Sequence, residues 1–303
     1  MMRAAILSAA DNGTVRRIVR RYGMQMGAKR FVAGETSQEF LEAALAANRR
    51  GFAVACGILG ENVGDAAEAR DAARRYAELL ETFHARGFDA NVAFKPTHVG
   101  LDVDPELAFE NAWTIASVAR SHRNTLRLDM EQSTYVDRTL ALYRRLRDRY
   151  DGVGFVLQSY LYRSEGDLQA ALSLAPNVRI VKGAYLEPSS IAYASKRDVD
   201  AAYVRLAETA LSNEGYTAIA THDPAIVEHV EAFVRRRGLP LRGRFEFQML
   251  YGISTPLARR LIDRGYRVRL AIPFGDYWFP YLMRRLAERP ANLAFFLKGA
   301  LGR

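Results

Sequence analysis

The stretch AIATHDPAIVEHVEAFVRRRG (218–238) contains one complete strand-and-helix unit. AIATH (218–222) is a short apolar run that closes on Thr221 and His222, polar residues a packed core does not choose. Asp223 and Pro224 then supply a capping side chain and a proline suited to the first helical turn. Helical periodicity continues to Gly238, which stops it. The next apolar run, FEFQM (245–249), begins the following unit.

Outward from this unit the pattern repeats. GFAVACGIL (51–59), NVAFK (91–95), LRLDM (126–130), GFVLQ (154–158), VRIVK (178–182) and VRLAI (268–272) complete a set of eight runs. Their starts fall about 25 to 40 residues apart, the spacing of βα units. DVDPELAFENAWTIASVAR carries Asp104 and Pro105 at a helix start, and STYVDRTLALYRRLRDRY starts at Ser133 or Thr134. Eight alternating units predict a closed (β/α)8 barrel of the TIM type, whose chemistry sits at the strand carboxyl ends. There the sequence places Lys95, Asp129, Gln158, Lys182, His222 and Gln248.

The 303 residues suit one such barrel of about 250 residues plus an N-terminal extension. Residues 1–45 read as a helical arm, and 46–303 as the barrel with its final helix and tail. In TVRRIVRRYGMQMG (14–27), Val15, Ile18, Val19, Tyr22 and Met26 form one apolar face with arginines opposite. That helix either packs on the barrel or lies on a membrane surface. GETSQEFLEAALAAN (34–48) reads as a helix capped by Thr36 or Ser37.

The formal charge of +9 rests on arginines; lysine occurs only at 29, 95, 182, 196 and 298. Such a balance suits anionic lipid, nucleic acid, an anionic substrate or a solvated surface. No zinc-finger, basic-zipper or RNA-recognition pattern supports nucleic acid. A lone Cys56 inside an apolar run excludes a disulfide framework and reads as a buried thiol. No apolar run reaches the roughly 18 residues of a membrane span. The expectation is a cytoplasmic protein, with peripheral contact at the inner face of the cell membrane left open.

The final helix lies in PFGDYWFPYLMRRLAERPAN (273–292), where Pro280 fits the first turn. Tyr281, Arg284, Arg285 and Glu288 share one face. Paired guanidiniums need an anion or Glu288 to neutralise them, and at a barrel mouth they suit a small carboxylate. Neighbouring strands would let Lys95 and Asp129 form an ion pair in the mouth. Arg179 and Lys182, followed by Gly183, Ala184 and Tyr185, suit close approach of an anionic or electron-rich ligand. Thr221 and His222 close the sixth run, and no histidine or carboxylate cluster suggests a metal. No glycine-rich nucleotide motif is present, so a cofactor would be held by the mouth itself.

These residues resemble the monofunctional bacterial proline dehydrogenases. The matching segments are RFVAGET, KPTHVGLDVD, RLDMEQS, VLQSYLYRS, VRIVKGAYLEP, ATHDP, FEFQMLYGI and FPYLMRRLAERPAN, in order from about residue 30 to the end. The resemblance implies a distorted (β/α)8 barrel with non-covalent FAD that oxidises L-proline to Δ1-pyrroline-5-carboxylate and passes electrons to a membrane quinone. It implies that Arg284 and Arg285 clamp the proline carboxylate with help from Lys95, and that Tyr281 lines the pocket. Asp129 pairs with Lys95, and Arg179 lies near the flavin N5. Met130, Gln158, Lys182, Gly183, Ala184, Thr221 and His222 touch FAD, with Tyr185 beside flavin and substrate.

A separate pyrroline-5-carboxylate dehydrogenase is the implied metabolic partner, with no aldehyde dehydrogenase fused to this chain. Membrane docking through 14–26 or the tail AFFLKGALGR is the implied route to the quinone. The chain departs from the pattern at Ala271, where a tyrosine is usual, and at Ala93, where a small hydroxyl residue is usual. Ala271 opens a second expectation, a relative that accepts hydroxyproline or another cyclic amino acid. A third, of another class, is a non-catalytic basic module that docks on membrane or nucleic acid.

Overall fold

In a computed structural model of the chain, the described residues are 27–288, with Gly13, Arg17, Val19, Gly23 and Met24 ahead of them. All eight runs are strands. They are β1 (Ala53–Ile58), β2 (Ala90–Phe94), β3 (Leu126–Leu128), β4 (Val153–Gln158), β5 (Asn177–Val181), β6 (Tyr216–Ala220), β7 (Phe245–Leu250) and β8 (Val268–Phe274). Every neighbouring pair is parallel, and β8 returns to β1 over Arg269–Phe274 to close the barrel.

Helix α1 (Ser37–Arg49) precedes the barrel, and α2 (Ala66–Ala85), α3 (Pro105–Ser121) and α4 (Val136–Arg147) follow the first three strands. Then come α5 (Ser164–Ala171), α6 (Lys196–Ser212), α7 (Pro224–Arg236), α8 (Thr255–Asp263) and α9 (Trp278–Glu288). Thr36 caps α1 in a reciprocal box: Glu39 N donates to Thr36 Oγ1 at 3.2 Å, and Thr36 N donates to Glu39 Oε2 at 3.1 Å. Asp104 caps α3, accepting from Glu106 N and Leu107 N, each at 2.9 Å. Helix α4 starts later than Ser133 or Thr134. Residues 133–135 first form a 3-10 turn, and Ser133 gives both its N–H and its hydroxyl to Glu187 at 2.7 Å. That serine ties two loops together instead of capping a helix.

The distortion from a regular barrel comes from α1 and α9. Helix α1 packs on the outside of β8 and β1, the place the helix after β8 would otherwise fill. The Phe40 ring stacks on Phe274 at 5.0 Å, and both are fully buried. Each such ring contributes roughly 2–3 kcal/mol by burial. Displaced from that slot, α9 sits in a separate cluster with Phe31, Val32 and Ile253, which contains Trp278, Phe279, Leu282, Met283 and Leu286. Trp278 Nε1 donates to Glu35 Oε1 at 2.7 Å and anchors its start. Val19 belongs to the same cluster, while Arg17 is exposed. The described part of the basic helix therefore packs on α9, as one of the two placements expected. The tail 294–303 lies outside the described residues.

Branched apolar side chains usually fill such a barrel. This one instead buries Arg127, Arg179, Glu246, Gln248 and Arg269 among its interior positions. Above them the strands near the β8–β1 seam turn small residues towards the mouth, among them Ala55, Gly57, Ala93, Ala271 and Pro273, which leaves space there. Cys56 is fully buried, and burial pushes its thiol well up. Among the described residues no helix is long and apolar enough to cross a membrane.

Candidate active site

Two adjoining cavities open at the carboxyl ends of the strands, of about 600 Å³ and about 210 Å³. The larger falls within the roughly 300–1,000 Å³ of cofactor sites. The strand-end residues divide between them. Met130, Gln158, Lys182, Gly183, Thr221 and His222 line the larger cavity. Arg284 lines the smaller one, together with Cys56 and Tyr76. Lys95, Asp129, Arg179, Ala184, Tyr185, Ala271, Tyr281 and Arg285 line both and form their shared wall. The structure thus brings together every site residue read from the sequence.

The pairing inside the mouth differs from expectation. Lys95 does not meet Asp129; its ammonium pairs with Glu61, in the loop after β1. Pro96 opens a 3-10 turn directly after Lys95, so the chain bends away at the strand end. Asp129 Oδ1 instead accepts from Arg179 Nη1 at 2.5 Å, because the long guanidinium of β5 reaches across the barrel interior to it. Glu61 also accepts from Arg284 Nη1 at 2.9 Å. This carboxylate neutralises Arg284; the side chain of Glu288, the partner expected from the sequence, lies outside the described residues. Burial would raise the Glu61 carboxyl, but the charges of Lys95 and Arg284 hold it below its ordinary value. Arg285 lies over the Tyr281 ring at 5.2 Å, a cation–π contact that fixes its direction.

At the far end of the larger cavity Lys182 is shared by Asp200 at 2.5 Å and Asp223 at 2.8 Å. Lys196 joins the same carboxylates. Burial would raise the Asp223 carboxyl, but hydrogen bonds and charge from Lys182 and Lys196 bring it down to about 2. His222 Nε2 accepts from Leu250 N at 2.9 Å, which puts its proton on Nδ1 and leaves the ring neutral. Gln158 Nε2 donates to the Glu131 carbonyl at 2.8 Å. Gly183 has φ +119°, and a Cβ there would come within 2.3 Å of the Tyr160 ring. The wall at this point requires glycine. Burial strongly raises the Tyr185 hydroxyl, helped by Glu131 and Glu61, so it stays protonated.

A large electron-rich cofactor fits this donor set. Arg179 Nη2 is buried with no hydrogen-bond acceptor among the described residues, and its guanidinium stands where both cavities meet. Glu61, Arg127, Glu246 and Arg269 were missed in the sequence. The last three sit at mid-strand in LRL, FEF and VRL, where a charge flanked by apolar neighbours signals an inward polar position.

The sequence model of the proline dehydrogenase family matches residues 40–298. The chain belongs to the proline dehydrogenase family. It is 41% identical over 306 residues to the proline dehydrogenase of Deinococcus radiodurans, covering 99% of this chain and 98% of that one. It is 37% identical over 301 residues to proline dehydrogenase 1 of Bacillus subtilis, covering 99% of both. Among solved structures, proline utilization A (PutA) from Bdellovibrio bacteriovorus inactivated by N-propargylglycine superposes with a TM-score of 0.83 at 26% identity. That match covers 91% of this chain and 34% of the much longer PutA chain. Membership of the proline dehydrogenase family makes the chain an enzyme of proline oxidation and removes the reading as a non-catalytic docking module.

Proposed function

We propose that this protein is an FAD-dependent proline dehydrogenase that oxidises L-proline to Δ1-pyrroline-5-carboxylate and delivers the electrons to a membrane quinone. The observation that carries the reading is the pair of cavities with one shared wall. A roomy chamber lined by strand-end polar groups adjoins a small one lined by Lys95, Arg284 and Arg285. FAD, when bound, supplies N5 as acceptor for the hydride from proline C5 and carries the electrons on to the quinone.

In this reading Met130, Gln158, Arg179, Lys182, Gly183, Ala184, Thr221 and His222 hold the cofactor. Arg284 and Arg285 take the substrate carboxylate, with Lys95 contributing charge. Tyr281 and Tyr185 enclose the ring, and Ala271 leaves room beside it. This clamp fixes the pyrrolidine against the shared wall, a positioning effect. The cationic pocket disfavours a protonated ring amine, so proline reacts as the free amine. Arg179, with Asp129 as its partner, stabilises negative charge that develops on reduction.

The absorption spectrum of purified protein, recorded anaerobically before and after L-proline, tests the reading. Flavin bands bleached by proline are expected. Protein that takes up no FAD on reconstitution would overturn it. The onward partners are a membrane quinone and a separate pyrroline-5-carboxylate dehydrogenase; stopped turnover in quinone-depleted membranes would support the first.

A further inference from the structure

Beneath the two cavities the barrel is plugged by charge. Among the described residues buried there with Arg127, Arg179, Gln248 and Arg269, Glu246 is the negative one. Its Oε1 accepts from Arg269 Nε at 2.7 Å and from Gln248 Nε2 at 2.5 Å. Its Oε2 accepts from the Tyr216 hydroxyl at 3.1 Å and from Arg267 Nε at 3.2 Å. Burial would raise this carboxyl, but the charge and hydrogen bond of Arg269, with the charge of Arg127, bring it down to about 2. It is ionised at neutral pH, and it lines neither cavity.

An ionised carboxylate accepts and never donates. Gln248 must therefore turn its NH2 towards Glu246, which leaves Gln248 Oε1 facing the other way. That oxygen accepts from Arg179 Nε at 2.7 Å. Asp129 holds the opposite end of the same guanidinium at 2.5 Å. Without the charge on Glu246 only Arg179 holds the amide in this orientation, and a flip would set its NH2 against the Arg179 N–H.

We propose that Glu246 is a positioning residue, whose charge, read through the Gln248 amide, sets the place of the Arg179 guanidinium on the wall between the two cavities. The inference rests on the flavin reading above, in which a cation on that wall favours the reduced cofactor. A Glu246 that acted only as a counter-charge has the opposite consequence. Its neutralisation adds net positive charge to the barrel and raises the flavin potential. Loss of positioning moves Arg179 and lowers it.

The test is the midpoint potential of the bound flavin in Glu246→Gln. A fall is expected, of about 30 mV if the two-electron equilibrium shifts tenfold. Arg179→Met is expected to lower the potential in the wild-type background and to add little in Glu246→Gln. In the flavin-free protein, labelled at arginine nitrogen, the Arg179 Nε–H is expected to exchange slowly in the wild type and fast in Glu246→Gln. A potential that rises or stays put overturns the inference, as does an Arg179→Met effect of equal size in both backgrounds. If Glu246→Gln does not fold, Gln248→Met cuts the same relay and is expected to lower the potential; a wild-type potential there overturns it equally. Wild-type protein that binds no flavin removes the function reading and this inference together. Flavin-loaded wild type beside an unmoved variant removes the inference alone.

Discussion

Glu61 and Arg284 meet at 2.9 Å across the barrel mouth, 223 residues apart in sequence, and Lys95 holds the same carboxylate from the other side. An anionic substrate that takes Arg284 must displace Glu61 or share the cation with it. Glu61→Gln removes the competing charge and leaves the shape. Affinity for a proline-like carboxylate inhibitor is therefore expected to rise by roughly three- to tenfold at low salt, equivalent to about 1 kcal/mol. The gain should shrink as salt screens the pair. Inhibitor titration at two ionic strengths checks this; weaker binding in the variant would show that Glu61 helps to hold the ligand.

Ala271 sits on β8 beside Ala55 of β1 and Leu250 of β7, at the wall of the 210 Å³ cavity. A tyrosine there would fill the space next to the substrate ring. Ala271→Tyr is expected to lower kcat/KM for hydroxyproline relative to proline by about tenfold or more, as steric exclusion of a substituent does. Wild-type and variant enzymes assayed on both substrates decide it. An unchanged ratio would mean that position 271 does not set the space around the ring.

The barrel was legible because six of the eight apolar runs close on or beside a polar side chain that a mouth would choose, and because Asp104, Asp223 and Thr36 mark helix starts. Lys95, Asp129, Gln158, Lys182, His222 and Gln248, which line the larger cavity, followed from that order. Pairing was harder. Adjacent strands put Lys95 and Asp129 side by side in chain order, but strand adjacency does not fix side-chain direction. The turn at Pro96 aims Lys95 at Glu61 instead. Glu61 was illegible because it lies in a loop three residues past β1, with one partner in the last helix. Arg127, Glu246 and Arg269 were hidden inside runs that read as apolar, since most of their partners lie on other strands, far away along the chain.

Arg127 is 2% exposed, and two of its nitrogens, Nε and Nη1, have no hydrogen-bond acceptor among the described residues. Burial, with Arg179 nearby, lowers its guanidinium to about 9. Desolvation on this scale is rarely recovered by one contact, here to Asn177. Arg127→Met is therefore expected to leave stability within about 1 kcal/mol of the wild type or to increase it. Urea unfolding of the two proteins measures this. A loss of about 3 kcal/mol or more would show that the arginine holds the barrel together.

His98 is 8% exposed, edge-on to Tyr76 at 6.0 Å, and its ring fills the place a side chain at Gly60 would need. Burial, reinforced by the charge of Lys95, lowers its imidazole from 6.5 to about 4. The folded protein therefore keeps His98 neutral while the unfolded chain takes up a proton below 6.5. The unfolded state then binds more protons, so stability rises with pH across this window and is lost as pH falls from 6.5 towards 4. The loss from this residue is at most about 3 kcal/mol. Glu246 and Asp223, both held near 2, lose their contributions mainly below their ordinary values of 4.5 and 3.8, and so mostly below pH 5. Urea unfolding at pH 7 and pH 5 is expected to show a smaller drop in His98→Asn than in the wild type. Equal drops in the two proteins would place the acid sensitivity elsewhere.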